Sequence, residues 1–320
     1  METPTKNCRL ITFTIWSIVI ILASGWSAIA MPLTTYATTL ATFGIAHVAI
    51  ELRYIDSRFH ARLAPKIELI LVVLLISIAL LRWCGIFGTI APNLAHLLEL
   101  SCGLGLVLVA TQQVWINNWR RGTIGMLIAG LLGYGIVRDP IATSVILAIV
   151  HNLTPIGFIL ERQQFKTKPT MWICGLLFGL LPCLILTHQF GSIGHVNIES
   201  NSTYLSAFIA PSWQQLPIAY PLFSAVAFLQ CLHYAIVIGL FSQWTPSRTD
   251  SLIPWLTPKY FYLLLGLVSI CLFGYFQQSF VLARAVYGVV ASIHAWLEIP
   301  LLIMLVDRLP TNKKSRIGTN

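Results

Sequence analysis

Four histidines, His47, His151, His233 and His294, stand inside long apolar runs. An ionisable side chain in hydrocarbon costs a few kcal/mol on insertion scales, so each needs a partner or a function. His47 is followed four residues on by Glu51, and His294 by Glu298, which puts each pair on one face of a helix. A metal-bound imidazole usually passes its other N–H to a carboxylate, a carbonyl or water. Glu51 and Glu298 therefore read as acceptors behind histidine ligands, or as ligands themselves. Asn152 adjoins His151, Gln230 precedes His233 by one turn and Tyr234 follows it. These three are further hydrogen-bonding partners for a buried polar pocket. Arg53 competes for Glu51, whereas the nearest basic residue to Glu298 along the chain is Arg308.

An all-imidazole or imidazole-plus-carboxylate set without thiolate suits Fe(II), Cu or Zn. Zinc hydrolysis needs water and a polar substrate. A site deep in apolar segments suits a lipid-soluble substrate and O2, which makes non-haem Fe(II) the natural choice. The histidines would then act as ligands, with no catalytic residue separate from them. Bis-histidine haem is an alternative, since His pairs on separate helices can hold a porphyrin. A single buried histidine is ordinarily a hydrogen-bonded packing residue, so a structural or assembly protein is another alternative. A transporter or proton-relay protein is a third; it would use the same buried His and Glu residues and be marked by broken helices, for which Pro155, Pro182 and Pro221 are the positions to inspect.

The composition demands the elements that carry these residues. The chain of 320 residues is 57% apolar and 10% charged, against about 45–50% and about 25% in soluble domains. It reads as an all-α polytopic integral membrane bundle, one transmembrane domain over residues 1–320. A bilayer core needs about 20 apolar residues per helix. Breaks at charged and Pro/Gly-rich stretches give ten candidate spans: Leu10–Met31, Thr35–Arg53, Ile67–Leu81, Ala91–Ile116, Gly122–Val137, Ile141–Leu160, Met171–Thr187, Ile218–Phe241, Pro258–Phe276 and Leu282–Leu305.

With ten spans, 17 of the 20 Lys and Arg fall on one side, leaving Arg82, Arg138 and Arg284 on the other. The positive-inside rule then places both termini in the cytoplasm. The net charge of +9 is accounted for as a topology signal, with no nucleic-acid partner. An inner or plasma membrane fits, and a thylakoid-type membrane suits the same pattern. All four histidines lie on spans running inward, roughly 6–13 residues or about 9–20 Å from their inner ends. Residues 189–217 form the one long extracytoplasmic loop, with a partly interfacial stretch at Tyr204–Ala210. The first span does not read as a cleaved signal peptide.

The other polar residues are less pointed. His60 lies in a basic loop, and His188 and His195 at the outer loop. His96 and Glu99, one turn apart, read as a pair at the outer end of the fourth span. The seven cysteines show no CxxC spacing and read as small packed hydrophobes. Tryptophans gather near span ends, as an aromatic belt would.

The four histidine segments resemble those of the Brp/Blh family of membrane β-carotene 15,15′-dioxygenases. Gly44-Ile-Ala-His47-Val-Ala-Ile-Glu51 is similar to the family's first segment, and Ile149-Val-His151-Asn152 to its second. Leu232-His233-Tyr234 is similar to the third, and Ser292-Ile-His294-Ala-Trp-Leu-Glu298 to the last, ahead of a basic tail. Ala46 stands where the family has proline, Glu51 and Glu298 where it has aspartate, and no acidic residue follows His151. The third family segment tends to carry two histidines four apart, but Val237 occupies that position here. The resemblance implies iron-dependent oxidative cleavage of a carotenoid to a retinal-type apocarotenal.

Overall fold

The computed structural model describes residues 18–162, 167–187, 209–245 and 251–307. Among them the regular structure is entirely helical. The helices are α1 (Ile18–Ala30), α2 (Pro32–Phe59), α3 (Pro65–Ile86), α4 (Pro92–Asn117), α5 (Trp119–Arg138), α6 (Pro140–His151) and α7 (Thr154–Glu161). They are followed by α8 (Lys168–Thr187), α9 (Ala219–Trp244), α10 (Pro258–Gln278) and α11 (Phe280–Asp307).

Proline opens most of these helices. Pro32, Pro65, Pro92, Pro140 and Pro258 sit in the first turn, where a missing N–H costs nothing and the ring presets φ. Asn118 and Asp139 cap α5 and α6, accepting from the Arg121 and Ala142 backbone N–H groups. Between α3 and α4 the chain turns through Gly88 at φ 73°, a conformation that favours glycine.

Eight helices among the described residues are long and apolar enough to cross a membrane, with α6 and α7 together counted as one. The other two of the ten expected spans do not reach that length and apolarity among the described residues. Of Leu10–Met31, residues 10–17 lie outside the described residues, and α1 covers the rest as a shorter helix. The fifth span forms a helix, α5, but its Gly-rich, arginine-opened sequence keeps it out of the apolar set. The loop expected at 189–217 lies mostly outside the described residues; of its described part, Pro211–Trp213 is a 3-10 turn.

Burial orders the bundle. In α9, 61% of the most apolar window is buried, against 11% in α10, so α9 is a central helix and α10 turns an apolar face outward. Close approach depends on small residues. A Cβ on Gly103 of α4 would stand 2.2 Å from the Trp296 ring of α11, and one on Gly125 of α5 2.5 Å from Thr111 Oγ1 of α4. Only glycine lets these helices sit as they do.

Three helices that carry histidines are irregular. Pro155 has no N–H to offer the His151 carbonyl, so the helix breaks at Asn152 and Leu153. The Thr154 hydroxyl lies 2.6 Å from that carbonyl and takes the lost donor's place. A π turn at Val237–Phe241 follows His233 within α9; such turns are frequent at functional sites. Pro300 interrupts the hydrogen-bond ladder of α11 beyond Glu298.

Candidate metal centre

Counted from Pro32, Pro140, Ala219 and Phe280, the four histidines lie 15, 11, 14 and 14 residues into helices that begin at the same end of the bundle. They therefore share one level. At that level they converge: one ring nitrogen from each of His47, His151, His233 and His294 lies within 4.8 Å of the others. Ring centroids are 5.3 Å apart for His47 and His233, 4.9 Å for His47 and His294, 4.6 Å for His151 and His233, and 4.8 Å for His151 and His294. His47, His233 and His294 are buried, and the His151 side chain keeps 15% exposure.

The His47 and His294 Nε2 atoms are 3.1 Å apart. Two imidazole nitrogens bound side by side to one transition metal at about 2.0–2.1 Å stand about 3.0–3.4 Å from each other. The spacing suits neighbouring ligands, and equally an N–H···N hydrogen bond between the two rings.

Both carboxylates join the group, each through a histidine of another helix. Glu298 Oε2 accepts from His151 Nδ1 at 2.8 Å and lies 2.5 Å from the Thr154 hydroxyl. A proton on His151 Nδ1 leaves Nε2 with its lone pair, the tautomer a ligand needs. Glu51 Oε2 lies 3.3 Å from His233 Nε2, close but not aligned as a hydrogen bond. Glu51, His233, His294 and Glu298 form a second set with one ligand atom from each within 4.8 Å, overlapping the first. Arg53 does not compete for Glu51, because its guanidinium stacks 4.4 Å over the Phe261 ring.

Glu51 and Glu298 are fully buried, and both Glu51 oxygens and Glu298 Oε1 have no hydrogen-bond partner among the described residues. Two carboxylates so close and so dry cannot both stay ionised without a cation. One divalent ion among four neutral imidazoles would balance both charges and satisfy the orphaned atoms. The donor set fits a metal.

The other expected partners lie around this group. Tyr234 stacks on the His47 ring at 4.1 Å and fixes its plane. Gln230 turns toward α2, donating to the Tyr36 carbonyl and to Thr39 Oγ1. Asn152 donates to the Ala148 carbonyl of its own helix. His96 lies 4.0 Å from Glu99, but Glu99 is held by Arg82 through two hydrogen bonds, at 2.5 and 3.1 Å. His60 pairs with Glu68, and His188 and His195 lie outside the described residues. Thr154 was not legible as a site residue; its signal is its place one turn after His151 and directly before Pro155.

No family model, curated protein or solved structure matches this chain.

Proposed function

We propose that this integral membrane protein is an oxygenase in which His47, His151, His233 and His294 hold Fe(II), and that it oxidises or cleaves a carotenoid or another isoprenoid lipid with O2. The observation that carries the reading is the convergence of four imidazoles and two buried carboxylates from separate helices at one level of the bundle. When bound, Fe(II) supplies O2 activation next to an apolar substrate. Glu298 holds the His151 tautomer, Tyr234 holds the His47 plane, and the two carboxylates offset the charge of the ion. A cavity of about 690 Å³ reaches His47, His151 and His294, within the size range of small-molecule sites. Its mostly apolar lining suits the chain of a lipid. The four rings touch one another, which favours a single ion over a porphyrin plane between them. The reading includes ten crossings with both termini cytoplasmic, and keeps the resemblance to the β-carotene dioxygenases as its motive for naming a carotenoid.

Expression in a carotenoid-accumulating host tests it. Colour should bleach and an apocarotenal such as retinal should accumulate, with about one iron per purified chain. Unchanged pigment together with far less than one iron, copper or zinc per chain would overturn the proposal.

A second reading has its own observation. The helix break at Asn152 and Leu153 lies beside His151, as a carrier or proton-relay protein would place it. That reading requires proton or solute flux into proteoliposomes, lost in His294→Ala and indifferent to metal removal.

A further inference from the structure

The cavity that reaches the histidines carries a second polar pair on its wall. Ser144 of α6 and His96 of α4 both line it, and the Ser144 hydroxyl stands 3.1 Å from His96 Nε2. The other ring nitrogen, Nδ1, lies 4.0 Å from Glu99 Oε2, one turn along α4. Glu99 is buried, and Arg82 holds its carboxylate in place. Serine, imidazole and a fixed carboxylate thus stand in a row, the order of a nucleophile, its base and the group that orients the base.

Two tautomers give this row two meanings. With its proton on Nε2, His96 would bridge Ser144 and the Pro140 carbonyl, 3.4 Å away, as a brace between α4 and α6. With its proton on Nδ1, the ring accepts from the Ser144 hydroxyl and can take that proton. The charge of Glu99 lies on the Nδ1 side and favours the second. Pro140 opens α6, so its carbonyl has a backbone N–H one turn on and does not depend on the ring. The His96 side chain keeps 28% exposure, enough for a ligand and water to reach it. Ser144 and His151 are seven residues apart on α6, about 10 Å along the axis, and Val145, Leu147, Ala148 and Ile149 line the cavity between them.

We infer that Ser144 is a nucleophile, with His96 as its base and Glu99 as the positioning residue, and that they cleave the carboxylic ester of a lipid whose apolar chain lies along the cavity toward the histidines. Ser144 Oγ bonds to the ester carbonyl carbon while His96 Nε2 takes the hydroxyl proton. The C–O bond to the alcohol then breaks, and the leaving oxygen receives that proton. Water, giving a proton to His96, attacks the acyl-serine, releases the acid and restores Ser144. No electron is exchanged and no metal takes part, so this activity stands apart from the oxygenase reading.

The test uses the purified full chain in nanodiscs, an alkyl fluorophosphonate as probe and 4-methylumbelliferyl oleate as ester. The probe should add once per chain, a Ser144 Oγ–P bond replacing P–F, with the adduct located on Ser144 by peptide mass spectrometry. Ser144→Ala should abolish labelling and ester hydrolysis. His96→Ala should slow both about 100-fold or more, as loss of a positioned base does. Glu99→Gln should slow labelling, and Glu99→Asp, which keeps the charge, should recover most of the rate. Melting temperatures read in the same samples show that each variant is folded. Treatment with a chelator should leave labelling unchanged, so a failure to bind iron is read separately. No adduct, an adduct on another residue, labelling that needs a metal, or full labelling in His96→Ala overturns the inference.

Discussion

Two carboxylate settings in this bundle are built on opposite principles. Near the far end of α7, Glu161 accepts from Arg58 at 3.0 and 2.8 Å and from Arg62 at 2.9 Å, and retains some exposure. At the histidine level, Glu51 and Glu298 are fully buried and keep three oxygens without a hydrogen bond among the described residues. The first is a finished ion pair that joins helices. The second offers lone pairs aimed at one point, which a bound cation or a proton shared between the carboxylates would satisfy. A buried group left unsatisfied costs more than a satisfied one contributes, so the first setting is a brace between helices and the second is compatible with a bound metal.

The strongest way to break the comparison is to remove a ligand. His294→Ala should lower bound metal from about one ion per chain to less than a tenth of that, read by elemental analysis of the purified protein. Full retention of metal would reduce the histidine level to ordinary packing. Next in size is a paired substitution. Glu298→Gln should weaken metal binding about 10–100-fold, as loss of a group that orients a ligand does. Glu161→Gln should leave metal affinity unchanged and cost about 1 kcal/mol of thermal stability, since its ion pairs are partly exposed. Equal effects of the two on metal would erase the distinction. The smallest change sharpens the packing side. Gly103→Ala should cost about 1–3 kcal/mol by overpacking, because its Cβ meets Trp296. As Trp296 lies two residues beyond His294, a modest fall in metal affinity should accompany the loss of thermal stability.

The membrane class and the shared depth of the four histidines were legible along the chain. Hydrocarbon tolerates few polar groups, so each one left inside an apolar run carries information. The periodicity that put Glu51 beneath His47 and Glu298 beneath His294 was correct as to face. It misled as to partner: the carboxylates reach His233 and His151 across helix contacts. Glu99 likewise looked like a partner of His96, one turn away; it lies 4.0 Å from that ring, but its shorter bonds go to Arg82 of another helix.

By itself, then, the order of residues determined that this is a membrane bundle and which polar groups it buries at matching depth, because transfer from water to lipid is priced residue by residue and helix rise converts position into depth. Only the tertiary structure decided which of those groups meet, that two carboxylates end without partners, and that one cavity joins the histidines to Ser144 and His96. Rotation of each helix about its axis sets those meetings. That rotation is fixed by contacts such as Trp296 against Gly103, which depend on every neighbour at once.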